Sequence, residues 1–188
     1  MYKLWQKKQI LNYSKDVLDI VQFGSSVIEE ERPNDIDIAV IFQKIPLKEQ
    51  LNKSQEIKKQ IQKNVELPVH ISSFDLYSFF DKGNFAKDGI LFYGKSILFQ
   101  KEFSLLFGIK PKLEIHYTLK DLEKKDKIRF NYLLNGKGGK YGLIKKYSGK
   151  IISPGVIETS PEYEGVFTEA MKKITKKIAI RKLFELVE

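Results

Sequence analysis

The stretch from Phe23 to Val40, FGSSVIEEERPNDIDIAV, constrains this chain more tightly than any other. From Asp35 onward, DIDIAVIF alternates carboxylate with apolar residue and then turns wholly apolar, as a strand with one half-exposed end does. Residues two apart on a strand share a face at a spacing of about 6.6 Å. Asp35 and Asp37 therefore project together, while Ile36, Ile38 and Val40 pack on the opposite side. Upstream, the apolar run LDIVQF predicts a second strand, closed by a turn at Gly24-Ser25-Ser26. If the two strands are neighbours in one sheet, the turn and the carboxylates meet at the same end.

Two convergent carboxylates suit Mg²⁺ (or Mn²⁺). A pair of such ions about 3.5–4 Å apart can bind a phosphate, activate an acceptor hydroxyl and stabilise the leaving oxygen of an in-line displacement. Gly24 lets a phosphate approach the backbone closely, and Ser25 offers both an N–H and a hydroxyl. The plainer alternative is a solvent-facing edge strand after an ordinary turn.

The conjunction is more specific than either half: a hydrophobic residue, Gly-Ser, nine intervening residues, then Asp-hydrophobic-Asp-hydrophobic. It resembles the signature of the polymerase β-like nucleotidyltransferase superfamily, and the compact layout resembles its minimal members. The resemblance covers about residues 5–100, including the closing DGILFYGKSILFQ, and does not extend to the C-terminal part. It implies that Gly24 and Ser25, with Ser26 beside them, bind the phosphates of a nucleoside triphosphate substrate, and that Asp35 and Asp37 hold the metal ions. The implied reaction passes a nucleoside monophosphate, for example from ATP, to a hydroxyl, with pyrophosphate leaving. Members of the family can also pair with a toxin-like helical protein, a further partner class.

A third carboxylate normally comes from a later strand in this family. Here VELPVHISSFD offers Glu66 as the best acid. Alignment by the PVHIS portion instead brings Pro68 or His70 to that position, with His70 as a metal ligand, a base or a structural residue. A second departure follows Ser26, where Glu29, Glu30 and Glu31 stand with Arg32 as the local cation. Three negative charges are unhelpful beside a triphosphate unless they face away.

The expected order begins with an amphipathic helix at residues 4–17, carrying Leu4, Ile10, Leu11 and Val17. After the two strands comes a helix from Pro46 with Leu47, Leu51, Ile57 and Ile61 on one side. A strand at VELPVHISSF follows, where Pro68 argues for an edge, then helical pieces near 74–81 and 84–93 and a short strand in GKSILFQ. The fold class is thus α/β (α+β): a nucleotidyltransferase-like mixed sheet flanked by helices over residues 1–103, and a small basic α+β domain over 104–188. Gly108 and Pro111 punctuate the boundary. The second domain is expected to hold a strand at LEIHYTL, a helix near 121–134, the loop NGKGGKYG, a hairpin through LIKKYSGKIISPGVIET, and a long terminal helix capped by Ser160 and Pro161.

The net charge of +9 is uneven: residues 104–188 hold 18 Lys and Arg against 10 Asp and Glu. Such a balance suggests a polyanionic partner, RNA or DNA, against the alternative of a solvated lysine-rich face. The loop fails the P-loop and dinucleotide templates, yet Lys137, Lys140, Lys145, Lys146 and Lys150 with Tyr141 and Tyr147 would suit phosphate contacts and base stacking. On the expected terminal helix, Lys172, Lys173, Lys176, Lys177, Arg181 and Lys182 would add a basic face, a track for the acceptor strand. The absence of cysteine excludes disulfides, zinc-thiolate sites and thiol nucleophiles. With no long apolar run and no leader pattern, a soluble cytoplasmic protein without a membrane partner is expected. The leading expectation is a nucleotidyltransferase acting on nucleic acid; the alternatives are a catalytically degenerate binding protein and an antitoxin-like enzyme acting on a protein.

Overall fold

A computed structural model describes residues 2–138 and 140–187. The chain divides into two compact units. The first runs from the N-terminus to Val27 and from Glu31 to Ile109, with Val187; the second comprises Ile28–Glu30 and Lys110–Leu186. Among the described residues, the strands form two four-stranded sheets, one in each unit. No helix among them is long and apolar enough to cross a membrane.

In the first unit, β1 (Val17–Phe23), β2 (Ile36–Phe42), β3 (Val69–Asp75) and β4 (Lys95–Ser96) assemble in the order β3-β2-β1-β4. β2 is antiparallel to β1 and parallel to β3, so the sheet is mixed. The crossover from β2 to β3 is α1 (Leu47–Gln62), as parallel pairing requires. Both faces of β2 are covered, which is why its sequence becomes continuously apolar. Ile36, Ile38, Val40 and Phe42 join Leu4, Ile20, Ile57 and Ile61 in one core cluster. Ala39 and Ile41 join Val21, Phe79, Ile90 and Phe103 in another, beneath α2 (Leu76–Phe80) and α3 (Ala86–Tyr93). Each fully buried aliphatic or aromatic side chain contributes about 1.5–3 kcal/mol relative to exposure.

Two expectations in this unit are corrected. Residues 4–17 do not form a helix: a short 3-10 turn, Leu4–Gln6, is followed by irregular chain, and Val17 already belongs to β1. Leu4 and Val17 reach the core and Leu11 packs against it, whereas Ile10 is 95% exposed, so the four apolar positions do not share one helical face. On α1 the buried row is Gln50, Ser54, Ile57 and Ile61, while Leu47 and Leu51 are exposed. The spacing of that row is helical, but its first two members are polar, and Gln50 is retained because its Nε2 donates to the Ile45 carbonyl at 2.9 Å.

In the second unit, β5 (Ile109–Tyr117), β6 (Lys150–Ser153), β7 (Val156–Thr159) and β8 (Ile178–Leu186) lie in the order β6-β7-β5-β8. The helices are α4 (Lys124–Asn135), α5 (Leu143–Lys146) and α6 (Glu164–Lys172). The expected hairpin from residue 143 is therefore a helical turn followed by the true β6-β7 hairpin. The long terminal helix is also corrected. Pro161–Tyr163 is a 3-10 turn, the Ser160 side chain makes no capping hydrogen bond, α6 stops at Lys172, and the rest is β8. Ile174, Thr175, Ile178 and Ile180 are β-branched and fit a pleated surface better than a helix. The Thr175 hydroxyl donates to the Thr118 carbonyl at 3.2 Å and accepts from Lys177 N–H at 3.2 Å, turning the chain into the strand.

Candidate metal and nucleotide site

The start of β2 brings the first two functional side chains together. Asp35 precedes the strand and Asp37 is its second residue, on the same face as Ala39 and Ile41. Both carboxylates are about one-third exposed. In the β1-β2 ladder Phe23 pairs with Asp37, which delivers the following Gly24 against the Asp37 side chain. A Cβ placed on Gly24 would stand 2.3 Å from Asp37 Oδ2, and the backbone there has φ +71°. Only glycine meets both conditions without displacing the carboxylate.

The third member is set by the parallel ladder. Ile36 pairs with Val69 and Asp37 with His70, so the imidazole lies beside the aspartates. Its Nδ1 is 3.3 Å from Asp35 Oδ2 and 3.9 Å from Asp37 Oδ1. One ligand atom from each of Asp35, Asp37 and His70 lies within 4.8 Å of the others. Glu66, the acid expected in third place, is not in this group. It lies in the turn before β3, lining a cavity of about 280 Å³ with Tyr2, Arg32, Pro33, Val65 and Leu67. The physical reason is register: Ile36 N–H donates to the Pro68 carbonyl at 2.8 Å, so β3 begins its pairing at Val69, beyond Glu66.

Burial raises the Asp37 carboxyl above the ordinary carboxylate range, the nearby charge of Asp35 adds to the rise, and His70 opposes it. Two carboxylates under such mutual repulsion gain from a cation between them. By donor chemistry and spacing, the three residues fit a divalent cation.

The Gly-Ser turn is a 3-10 turn, Gly24–Val27. Ser25 is half-buried within it. Ser26, grouped with it as a phosphate ligand from sequence, is 1% exposed and committed inward. Its hydroxyl donates to the Phe23 carbonyl at 3.0 Å and accepts from Gln22 Nε2 at 2.9 Å. Gln22 itself was missed by sequence reasoning. Wholly buried, its amide also donates to the Tyr2 carbonyl and accepts from Leu4 N–H, each at 2.8 Å, tying the N-terminal segment to the turn. The available signal was a polar residue in the apolar run LDIVQF.

In the second unit, the expected nucleic-acid contacts divide. Lys137, Lys140, Tyr141 and Lys145 lie in or beside the loop between α4 and α5. Lys137 stands over the Tyr132 ring at 5.0 Å and Lys145 over the exposed Tyr141 ring at 4.1 Å. Gly136 has φ +88°, and a Cβ there would stand 1.9 Å from the Lys140 carbonyl oxygen. Lys146 bonds the Tyr147 hydroxyl at 2.6 Å, and that hydroxyl donates to the Glu30 carboxylate; Tyr147 is buried and presents no ring for stacking. Lys173 follows α6, Lys177 pairs with Asp121, and Arg181 lies on β8 at 3.9 Å from Glu114, so these cations do not form a helical face.

No curated protein matches the chain in sequence. Residues 6–98 match the model of the family described as polymerase beta, nucleotidyltransferase. The match spans the first unit's sheet, the Gly-Ser turn and the paired aspartates, and identifies this N-terminal region as a domain of the polymerase β-like nucleotidyltransferase superfamily.

Proposed function

We propose that this protein is a metal-dependent nucleotidyltransferase that passes a nucleoside monophosphate from a nucleoside triphosphate to a hydroxyl of an RNA or DNA acceptor. The observation that carries the reading is the meeting of Asp35 and Asp37 beside Gly24 at one end of a family-matched sheet. A divalent cation bound there would neutralise phosphate charge and lower the pKa of an acceptor hydroxyl. The chain's own residues do the rest. Asp35 and Asp37 hold the cation, Gly24 leaves room for Asp37 and for a phosphate near the backbone, and Ser25 donates to phosphate oxygens. Gln22 and Ser26 fix the turn from beneath. Positioning and electrostatics supply the rate in such a site. The exposed Tyr141 and the lysines around it are the acceptor contacts of choice in the second unit.

A second reading, nucleic-acid binding without transfer, is favoured by one observation: among the described residues no third carboxylate joins Asp35 and Asp37. The two separate in one experiment. Purified protein is offered each α-labelled nucleoside triphosphate with Mg²⁺ or Mn²⁺ and total RNA, beside Asp35→Asn/Asp37→Asn. Label transferred to RNA, and lost in the variant, is the expected result. No transfer, with salt-sensitive RNA binding intact in both proteins, overturns the enzyme and leaves the binding protein.

A further inference from the structure

We propose that His70 is the third ligand of the cation site and moves its preference from Mg²⁺ to a first-row transition cation of the Mn²⁺ type. This rests on the reading of Asp35 and Asp37 as metal ligands. The parallel ladder makes His70 the lateral neighbour of Asp37, and neighbours across a ladder point to the same face. Its Nδ1 lies 3.3 Å from Asp35 Oδ2 and 3.9 Å from Asp37 Oδ1. Both separations fall inside the roughly 4.2 Å that two ligands with bonds of about 2.1 Å can span across one cation.

The donor set then decides the metal. Mg²⁺ is hard, dehydrates reluctantly and is held almost wholly by charged or neutral oxygen. An imidazole offers it a poor ligand and, being neutral when it coordinates, leaves the site with two negative charges from Asp35 and Asp37. A carboxylate at position 70 would make three. First-row transition cations accept nitrogen readily, with affinity rising from Mn²⁺ through Co²⁺. The site loses electrostatic hold on Mg²⁺ and gains donor strength for Mn²⁺. Glu66 does not restore the missing charge, since it lies outside the group.

The test uses the full chain stripped of metal and titrated with Mn²⁺ and with Mg²⁺ by calorimetry, with pulsed electron paramagnetic resonance on the Mn²⁺ form. The expected results are binding of Mn²⁺ at least about tenfold tighter than Mg²⁺ and a ¹⁴N coupling from a directly bonded imidazole. His70→Ala should lose the coupling and most of the preference. His70→Asp, an all-oxygen set, should strengthen Mg²⁺ binding and narrow the gap. The His70 side chain is 63% exposed, so neither change removes core packing. A wild-type protein without ¹⁴N coupling, or a His70→Ala protein with an unaltered Mn²⁺ to Mg²⁺ ratio, overturns the proposal. These readouts separate it from the enzyme reading. Mn²⁺ held with nitrogen coupling but no nucleotide transferred sinks the enzyme and supports the ligand assignment. Transfer that needs Asp37 while the metal ratio ignores position 70 does the reverse.

Discussion

Replacing Gly24 by Ala separates what the site needs from what the fold needs. The added Cβ would stand 2.3 Å from Asp37 Oδ2, 3.2 Å from its Cγ and 3.4 Å from its Cβ, where ordinary contact begins near 3.4 Å. The carboxylate therefore has to withdraw by about 1 Å, a displacement that can cost about 100-fold in rate, equivalent to about 2.7 kcal/mol of barrier. The fold suffers less, because the clash falls mainly on the end of a side chain that can rotate. Its loss comes chiefly from φ +71°, which costs a residue with a Cβ about 1–2 kcal/mol. Urea denaturation should show that modest loss while nucleotide transfer falls about 100-fold and metal affinity falls with it. A Gly24→Ala protein that folds, holds Mn²⁺ and transfers nucleotide at the wild-type rate would refute the argument that glycine is there for the sake of Asp37.

Two further predictions concern the core and the loop. Burial pushes the Asp19 carboxyl up to about 6, although the Ser96 hydroxyl and Ile20 N–H both donate to its Oδ1. Its folded pKa lies above the unfolded value of 3.8. The associated stability is therefore fully present below pH 3.8 and is lost as pH rises through about 6, a span of about 3 kcal/mol. Asp19→Asn should flatten that slope and raise stability near pH 7; an unchanged slope in denaturation curves between pH 4 and 7 would contradict it. In the second unit, changing Lys137, Lys140 and Lys145 together to Ala should reduce the slope of log affinity for single-stranded RNA against log salt by about 0.7 for each phosphate left without a lysine. An unaltered slope would remove this loop from the acceptor path.

How much of this was legible beforehand follows the range of the interactions involved. The strands β1 and β2, the Gly-Ser turn, α1 and the pairing of Asp35 with Asp37 on one face could all be read from the chain, because period and turn chemistry are local. The helix at residues 4–17 failed because its apolar positions were too few to make a buried face, and the terminal helix failed because lysines spaced by three and four sit as readily on an exposed edge strand as on a helix. Ser26 could not be told from Ser25, since only the buried Gln22 amide shows which hydroxyl is already taken.

The sequence by itself determined that Asp35 and Asp37 would share one face of a strand and that a glycine turn would close the strand before it, since two-residue periodicity and the conformational freedom of glycine need no partner to be read; that the two strands are neighbours came from the β1-β2 ladder. Only the tertiary structure decided which side chain of the later strand stands beside that pair. Glu66 and His70 are four residues apart on one segment, and nothing local says which stands beside Asp37. That choice is made by the parallel ladder between β2 and β3, whose register depends on Val69 pairing with Ile36 and on both being buried in one core. Register is a long-range property, and it replaced an expected carboxylate with an imidazole.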